Sequence, residues 1–203
     1  MACTDKIAGE ILNSCDIIPR PGYEPIAWAL NLGDFEYTVD KNLVTNITMN
    51  PGCYAFNITA VKKEMNGGFD AMISDEEDRY IHSFSFKPYE KDPGSIENID
   101  QANALVVIVE LKGEKEEGVF LVLGLQTGMY KNTGNLKQNN NYGLPVYNFS
   151  SIDYIGEEYS RWVLWDTDYD TTLAMLNLLT ETRKLTTPDE RGLKTPDGRR
   201  IVI

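Results

Sequence analysis

Leu105-Val-Val-Ile-Val-Glu110 and Val119-Phe-Leu-Val-Leu-Gly124, separated by Gly113-Glu-Lys-Glu-Glu-Gly118, decide how this chain folds. Each run is rich in Val, Leu and Ile, and each is bounded by glycine and charge. Runs of that length and composition are strands covered on both faces, and the glycine-flanked link between them reads as a hairpin spanning 104–112 and 119–125. This pair is expected at the centre of the fold. No apolar run exceeds Ala104–Val109, far short of the roughly 18 residues that cross a bilayer as a helix.

Working outward, Ile26-Ala-Trp28-Ala-Leu30-Asn-Leu32 and Tyr80-Ile-His82-Ser-Phe84-Ser-Phe86 place large apolar residues at alternate positions, the period of a half-buried strand. His82 then belongs to an aromatic stripe rather than to a ligand set. Residues 42–49 and 54–61 read as strands around the Asn50-Pro51-Gly52 turn, and Asn66-Gly67-Gly68 as another turn. Ser95 is the expected cap of a helix carrying Ile96, Ile99 and Ala102. After the hairpin, 126–141 is polar and aperiodic and reads as a long exposed loop, followed by a strand from Tyr142 to Tyr154. Beyond residue 158 the character changes: Trp162-Val-Leu-Trp165 precedes Asp170, the expected cap of a helix over about 170–182 with Leu173, Leu176 and Leu179 on one face. The expectation is a body over 1–158 and a C-terminal extension over 159–203.

The chain has 203 residues, 42% of them apolar, and carries a net charge of −12. That charge is uneven. Arg183, Lys184, Arg191, Lys194, Arg199 and Arg200 face only Asp189, Glu190 and Asp197 after residue 182, so 183–203 carries +3 and 1–182 carries −15. Phosphate binding depends on Lys and Arg displacing counterions, so the body is unsuited to gripping nucleic acid. The basic arm is poor in apolar residues until Ile201-Val202-Ile203 and reads as extended, awaiting a partner. Three cysteines, Cys3, Cys15 and Cys53, are odd in number and widely spaced, which suits a reducing compartment better than a disulfide framework. The N-terminus lacks the basic and apolar regions of a secretory signal, and the three sequons at Asn46, Asn57 and Asn148 read as coincidence.

The sharpest chemical pattern is Trp162-Val-Leu-Trp-Asp166-Thr-Asp168-Tyr-Asp170. An apolar strand running into spaced aspartates resembles the opening motif of haloacid-dehalogenase-type phosphatases, in which one aspartate attacks phosphorus and the next is acid and base beside magnesium. Only 33 residues follow Asp170, too few for the α/β domain such a motif opens. A calcium loop fails at Thr171, where a glycine belongs. A helix cap among solvated acids is the simpler reading. No Walker loop, GxSxG elbow, HExxH or Rossmann pattern occurs, and the single His82 has no nucleophile beside it. No enzymatic activity, cofactor, metal site or membrane contact is expected. The acidic runs Asp75–Asp78 and Glu114–Glu117 read as solvated turns, or as a like-charged surface past which DNA slides.

Read together, Leu105–Glu110, the run Val119–Met129 closing in Leu-Gly-x-x-x-Gly-Met, Tyr142-Gly143, and Cys15-Asp16 ahead of Pro21-Gly22 resemble virion proteins of phages infecting Bacteroides-type hosts, the crAss-like phages. The resemblance covers roughly residues 1–158. It implies a mainly β, tail-tube-like sandwich or barrel with one flanking helix, here with a C-terminal helical and extended arm. It implies a structural subunit of a ring in the tail or neck that surrounds the DNA channel and joins portal and head to tail. Its partners would be further copies in a closed ring of about six or twelve, neighbouring portal, neck or tail proteins, and DNA that passes without specific binding. The location implied is the virion, assembled in the cytoplasm of the bacterial host. The longer loop 126–141 and the segment from Tyr159 depart from the pattern and favour a specialised ring over a stacked tube. Two alternatives stand beside it: a phosphatase-like enzyme using Asp166 and Asp168, and a soluble β-sandwich binding module whose tyrosines and tryptophans stack on sugars.

Overall fold

The computed structural model describes residues 22–60, 64–72, 78–88, 93–113, 115–135, 145–152 and 155–186. Among them are eleven strands in two sheets and two helices. The larger sheet has the order β2 (Phe35–Asp40), β3 (Leu43–Met49), β11 (Trp162–Leu164), β8 (Phe120–Leu123), β7 (Leu105–Leu111), β1 (Tyr23–Asn31), β4 (Phe56–Thr59). The smaller runs β5 (Asn66–Met72), β6 (Arg79–Phe86), β10 (Val146–Ser150), β9 (Tyr130–Asn135). All ladders are antiparallel except β11 with β3. The chain is mainly β, as its hydrophobic periodicity predicts.

The expected hairpin is central. Val107 pairs with Leu123 and Ile108 with Val122, and every residue of Leu105–Val109 and Phe120–Leu123 is buried. Alternation divides these side chains between two cores. Val106, Ile108, Phe120 and Val122 pack with Trp28, Leu30, Trp162 and Leu164 beneath helix α2 (Tyr169–Thr186), whose Tyr169, Leu176 and Leu179 complete that layer. Val107, Val109, Leu121 and Leu123 pack with Phe84, Phe86 and Phe149 of the smaller sheet. The molecule is therefore layered as helix, seven-stranded sheet, four-stranded sheet, and the doubly buried strands must be apolar at every position.

Several expectations change in three dimensions. Residues 159–186 contribute an interior strand, with Trp162 opposite Val122 and Val163 opposite Leu43, so the boundary expected near residue 158 coincides with no break in the sheet. The helix expected over 170–182 runs Tyr169–Thr186 and covers a sheet face instead of projecting as an arm. The strands around Asn50-Pro51-Gly52 do not pair with each other: β3 and β4 lie in opposite halves of the sheet, and the link crosses its face, with Ala55 N–H donating to the Leu179 carbonyl at 3.0 Å. Asn66-Gly67-Gly68 lies in β5 rather than in a turn, because a Cβ at Gly67 would stand 3.0 Å from Leu123 Cδ1 and 3.1 Å from the Ser83 carbonyl oxygen. Glycine there permits close packing between sheets. Part of the loop expected over 126–141 is strand β9, while 136–144 lies outside the described residues. Helix α1 spans Pro93–Gln101, so Ser95 is inside it and Pro93 takes the first position, where a missing N–H costs nothing.

Candidate functional site

The motif that carries the resemblance folds into a tight loop. Gly124 and Gly128 both have left-handed φ, 73° and 70°, and the Gly128 N–H donates to the Gly124 carbonyl at 2.9 Å. A Cβ on Gly124 would meet Met129 Cγ at 2.8 Å and the Leu105 carbonyl oxygen at 3.1 Å. Both the conformation and the space demand glycine. The loop so bent presents the N–H groups of Gln126 and Thr127 to one buried carboxylate, that of Glu157.

Glu157 is 0% exposed, and its carboxylate is surrounded by donors. Oε2 accepts from Gln126 N–H at 3.0 Å and from Trp162 Nε1–H at 3.0 Å. Oε1 accepts from Thr127 N–H at 2.9 Å and from the Thr127 hydroxyl at 2.8 Å. Charge-assisted bonds of this kind can offset the cost of burying a carboxylate without a cation. The backbone of Glu157 exchanges two hydrogen bonds with Tyr80, 2.7 and 2.9 Å, which brings the cluster beside β6.

His82 on β6 completes the arrangement and is also fully buried. Its Nδ1 accepts from Gly124 N–H at 3.1 Å, so Nε2 carries the proton and donates to the Tyr159 carbonyl at 3.0 Å. Burial holds the His82 pKa below its ordinary value, against the opposing pull of the Glu157 charge. His82 is a neutral strut between the 124–129 loop and the 155–162 segment. The stripe reading of Tyr80–Phe86 thus places His82 on the buried face with Phe84 and Phe86. Chemically, the cluster is a clasp: both ring nitrogens and both carboxylate oxygens of its ionisable members are occupied within the chain.

Asp166 and Asp168 are near the start of α2. Asp168 Oδ1 accepts from Thr171 N–H at 2.7 Å, which lowers its pKa and makes it the cap in place of Asp170, now in the first turn. Asp166 Oδ1 accepts from the Thr167 hydroxyl at 3.1 Å, and Asp166 N–H donates to Thr172 Oγ1 at 3.0 Å. Among the described residues, no three His, Cys, Asp or Glu side chains are placed to hold one metal ion.

Of the expected arm residues, Arg183 and Lys184 lie on the last turns of α2, which is a correction to the extended reading of that stretch. Arg191, Lys194, Arg199 and Arg200 lie outside the described residues, as do Asp75–Glu77 and Glu114. Asp78, Glu116 and Glu117 are exposed. Glu157 was missed by sequence reasoning because a single acid between Gly156 and Glu158 has no periodicity. The only local signal was the Leu-Gly-x-x-x-Gly-Met spacing of its partner loop.

A groove of about 830 Å³ opens between the sheets at the β1–β4 end, with Ile58, Phe86, Leu105 and Phe149 among its lining and Asn57 and Asn98 as polar members. The outer surface carries apolar groups elsewhere too: Tyr37 and Val39 on edge strand β2 are 40% and 42% exposed. No family model, no curated protein and no solved structure matches the chain.

Proposed function

We propose that this chain is a virion structural protein, a subunit of a ring in a phage tail or neck that surrounds the DNA channel and joins portal and head to tail. The observation that carries the reading is the open end of the seven-stranded sheet. Among the described residues strand β2 hydrogen-bonds to β3 alone, and Tyr37 and Val39, on the same face as core residues Ile47 and Val44, stay about two-fifths exposed. An exposed apolar edge of this kind is a site for another chain. Head-to-tail contacts that close by rotation make rings. The β-sandwich with a flanking helix, the clasp built on the Gly124–Gly128 motif and the −15 charge of residues 1–182 support the same reading, since DNA would not adhere to an acidic wall.

The test is the mass of the full-length protein by light scattering across a concentration series, with negative-stain images and mass spectrometry of purified virions. Closed rings and virion incorporation are expected. A protein that is monomeric at all concentrations and absent from virions overturns the proposal.

The groove favours one second reading, a β-sandwich binding module, because its apolar floor and amide rim suit a small ligand. Saturable binding from a ligand panel that Phe149→Trp abolishes would support it. A flat response across the panel would remove it.

A further inference from the structure

We infer that β2 is the receiving edge of a strand exchange in which Arg199–Ile203 of one copy adds beside Phe35–Asp40 of a second copy. The inference rests on the ring reading and specifies which surfaces make its contact.

The Asn50 N–H bond to the Asp34 carbonyl, 2.9 Å, fixes the alternation along β2. The N–H and C=O of Phe35 and Tyr37 consequently point away from β3, toward the open edge. Tyr37 and Val39 share one face, while Glu36, Thr38 and Asp40 share the other; the extra residue of the irregularity is on β3, between Val44 and Asn46, so β2 stays regular. All five are exposed.

Arg199-Arg-Ile-Val-Ile203 has the complementary alternation. An antiparallel register with Ile201 opposite Val39 and Ile203 opposite Tyr37 puts Val202 opposite Thr38 and Arg200 opposite Asp40. Arg199 then falls at the Lys41 turn, past the end of the strand. Apolar residues meet apolar residues on one face, and a cation meets an acid on the other. The twelve residues 187–198 can span up to about 40 Å, far enough to reach an adjoining subunit. Other edges fit less well. Strand β4 reads Phe-Asn-Ile-Thr with no acid, β5 carries Gly67 and Gly68, and Lys131 lies on β9.

A benzophenone amino acid replacing Val39 in the full-length protein tests the placement, using mixed isotope-labelled and unlabelled copies and mass spectrometry of cross-linked peptides. Mixed-label cross-links to 199–203 are expected. Same-label cross-links alone, or cross-links elsewhere, overturn the exchange; if rings still form, the ring reading survives without it. Charge exchange gives an independent measure. Asp40→Arg and Arg200→Asp should each weaken assembly about two- to fivefold, and the double variant should recover it. Because Asp40 is an exposed strand end, both singles should keep the native circular dichroism. A double variant no better than the singles also overturns the pairing.

Discussion

His82 and Glu157 show how two ionisable residues can be structural without being paired with opposite charge. Glu157→Gln replaces an acceptor surrounded by four donors with a group that carries two donors of its own. We expect a loss of about 3 kcal/mol, or roughly 6–12 °C in Tm, read by thermal unfolding. Gly124→Ala adds a methyl within 2.8 Å of Met129 Cγ at a φ of 73°. It should cost about 2–4 kcal/mol, from left-handed strain plus overpacking, and chemical denaturation would measure it. His82 makes stability depend on pH with a definite sign. Burial lowers its folded pKa, so the unfolded chain binds a proton the folded chain refuses. That stability is fully present above about pH 6.5 and is lost as pH falls toward the folded value, at up to about 1.4 kcal/mol per pH unit. In His82→Gln, urea midpoints measured between pH 5 and 7.5 should show a slope smaller by up to one proton; an unchanged slope would mean that His82 takes up its proton in the folded chain as readily as in the unfolded one.

Three residues, Trp162–Leu164, fill the gap between β3 and β8, so their removal leaves two ladders unpaired in the middle of a sheet. A chain ending after Glu158 is expected not to fold, by circular dichroism and solubility. One ending after Thr186 should keep the full-length Tm within about 2 °C, since Leu179 is the last core residue among the described residues. Leu176→Ala should cost about 2–5 kcal/mol, because its side chain is wholly buried between helix and sheet. The β7–β8 hairpin was legible in the sequence because doubly buried strands admit nothing but apolar residues. Strand β2 was not, because five of its six residues are exposed and leave only a weak alternation. Strand β11 was recognisable as an apolar segment, but three residues cannot indicate which neighbours they join.

For the whole molecule, the division of charge between an acidic body and a basic arm has a consequence that salt reveals. If assembly relies on Arg200 reaching Asp40 of another copy, raising salt from about 0.05 to 0.5 M should shift the scattering mass toward smaller species, since the screening length falls to a few ångströms. Assembly indifferent to salt would assign the interface to apolar contact alone. The β class, the buried central hairpin, the aromatic stripe of β6 and the uneven charge follow from the amino-acid sequence, because each is written in local periodicity or composition. Long-range contacts alone make the segment after residue 158 thread into the sheet, Asn50–Gly52 begin a crossover, Gly67 let the sheets touch, and Glu157 sit among donors from the distant 124–129 loop and from Trp162 on β11. Those features depend on contacts between residues far apart in the chain, and period and composition describe a segment's own faces, never the neighbour that will cover them.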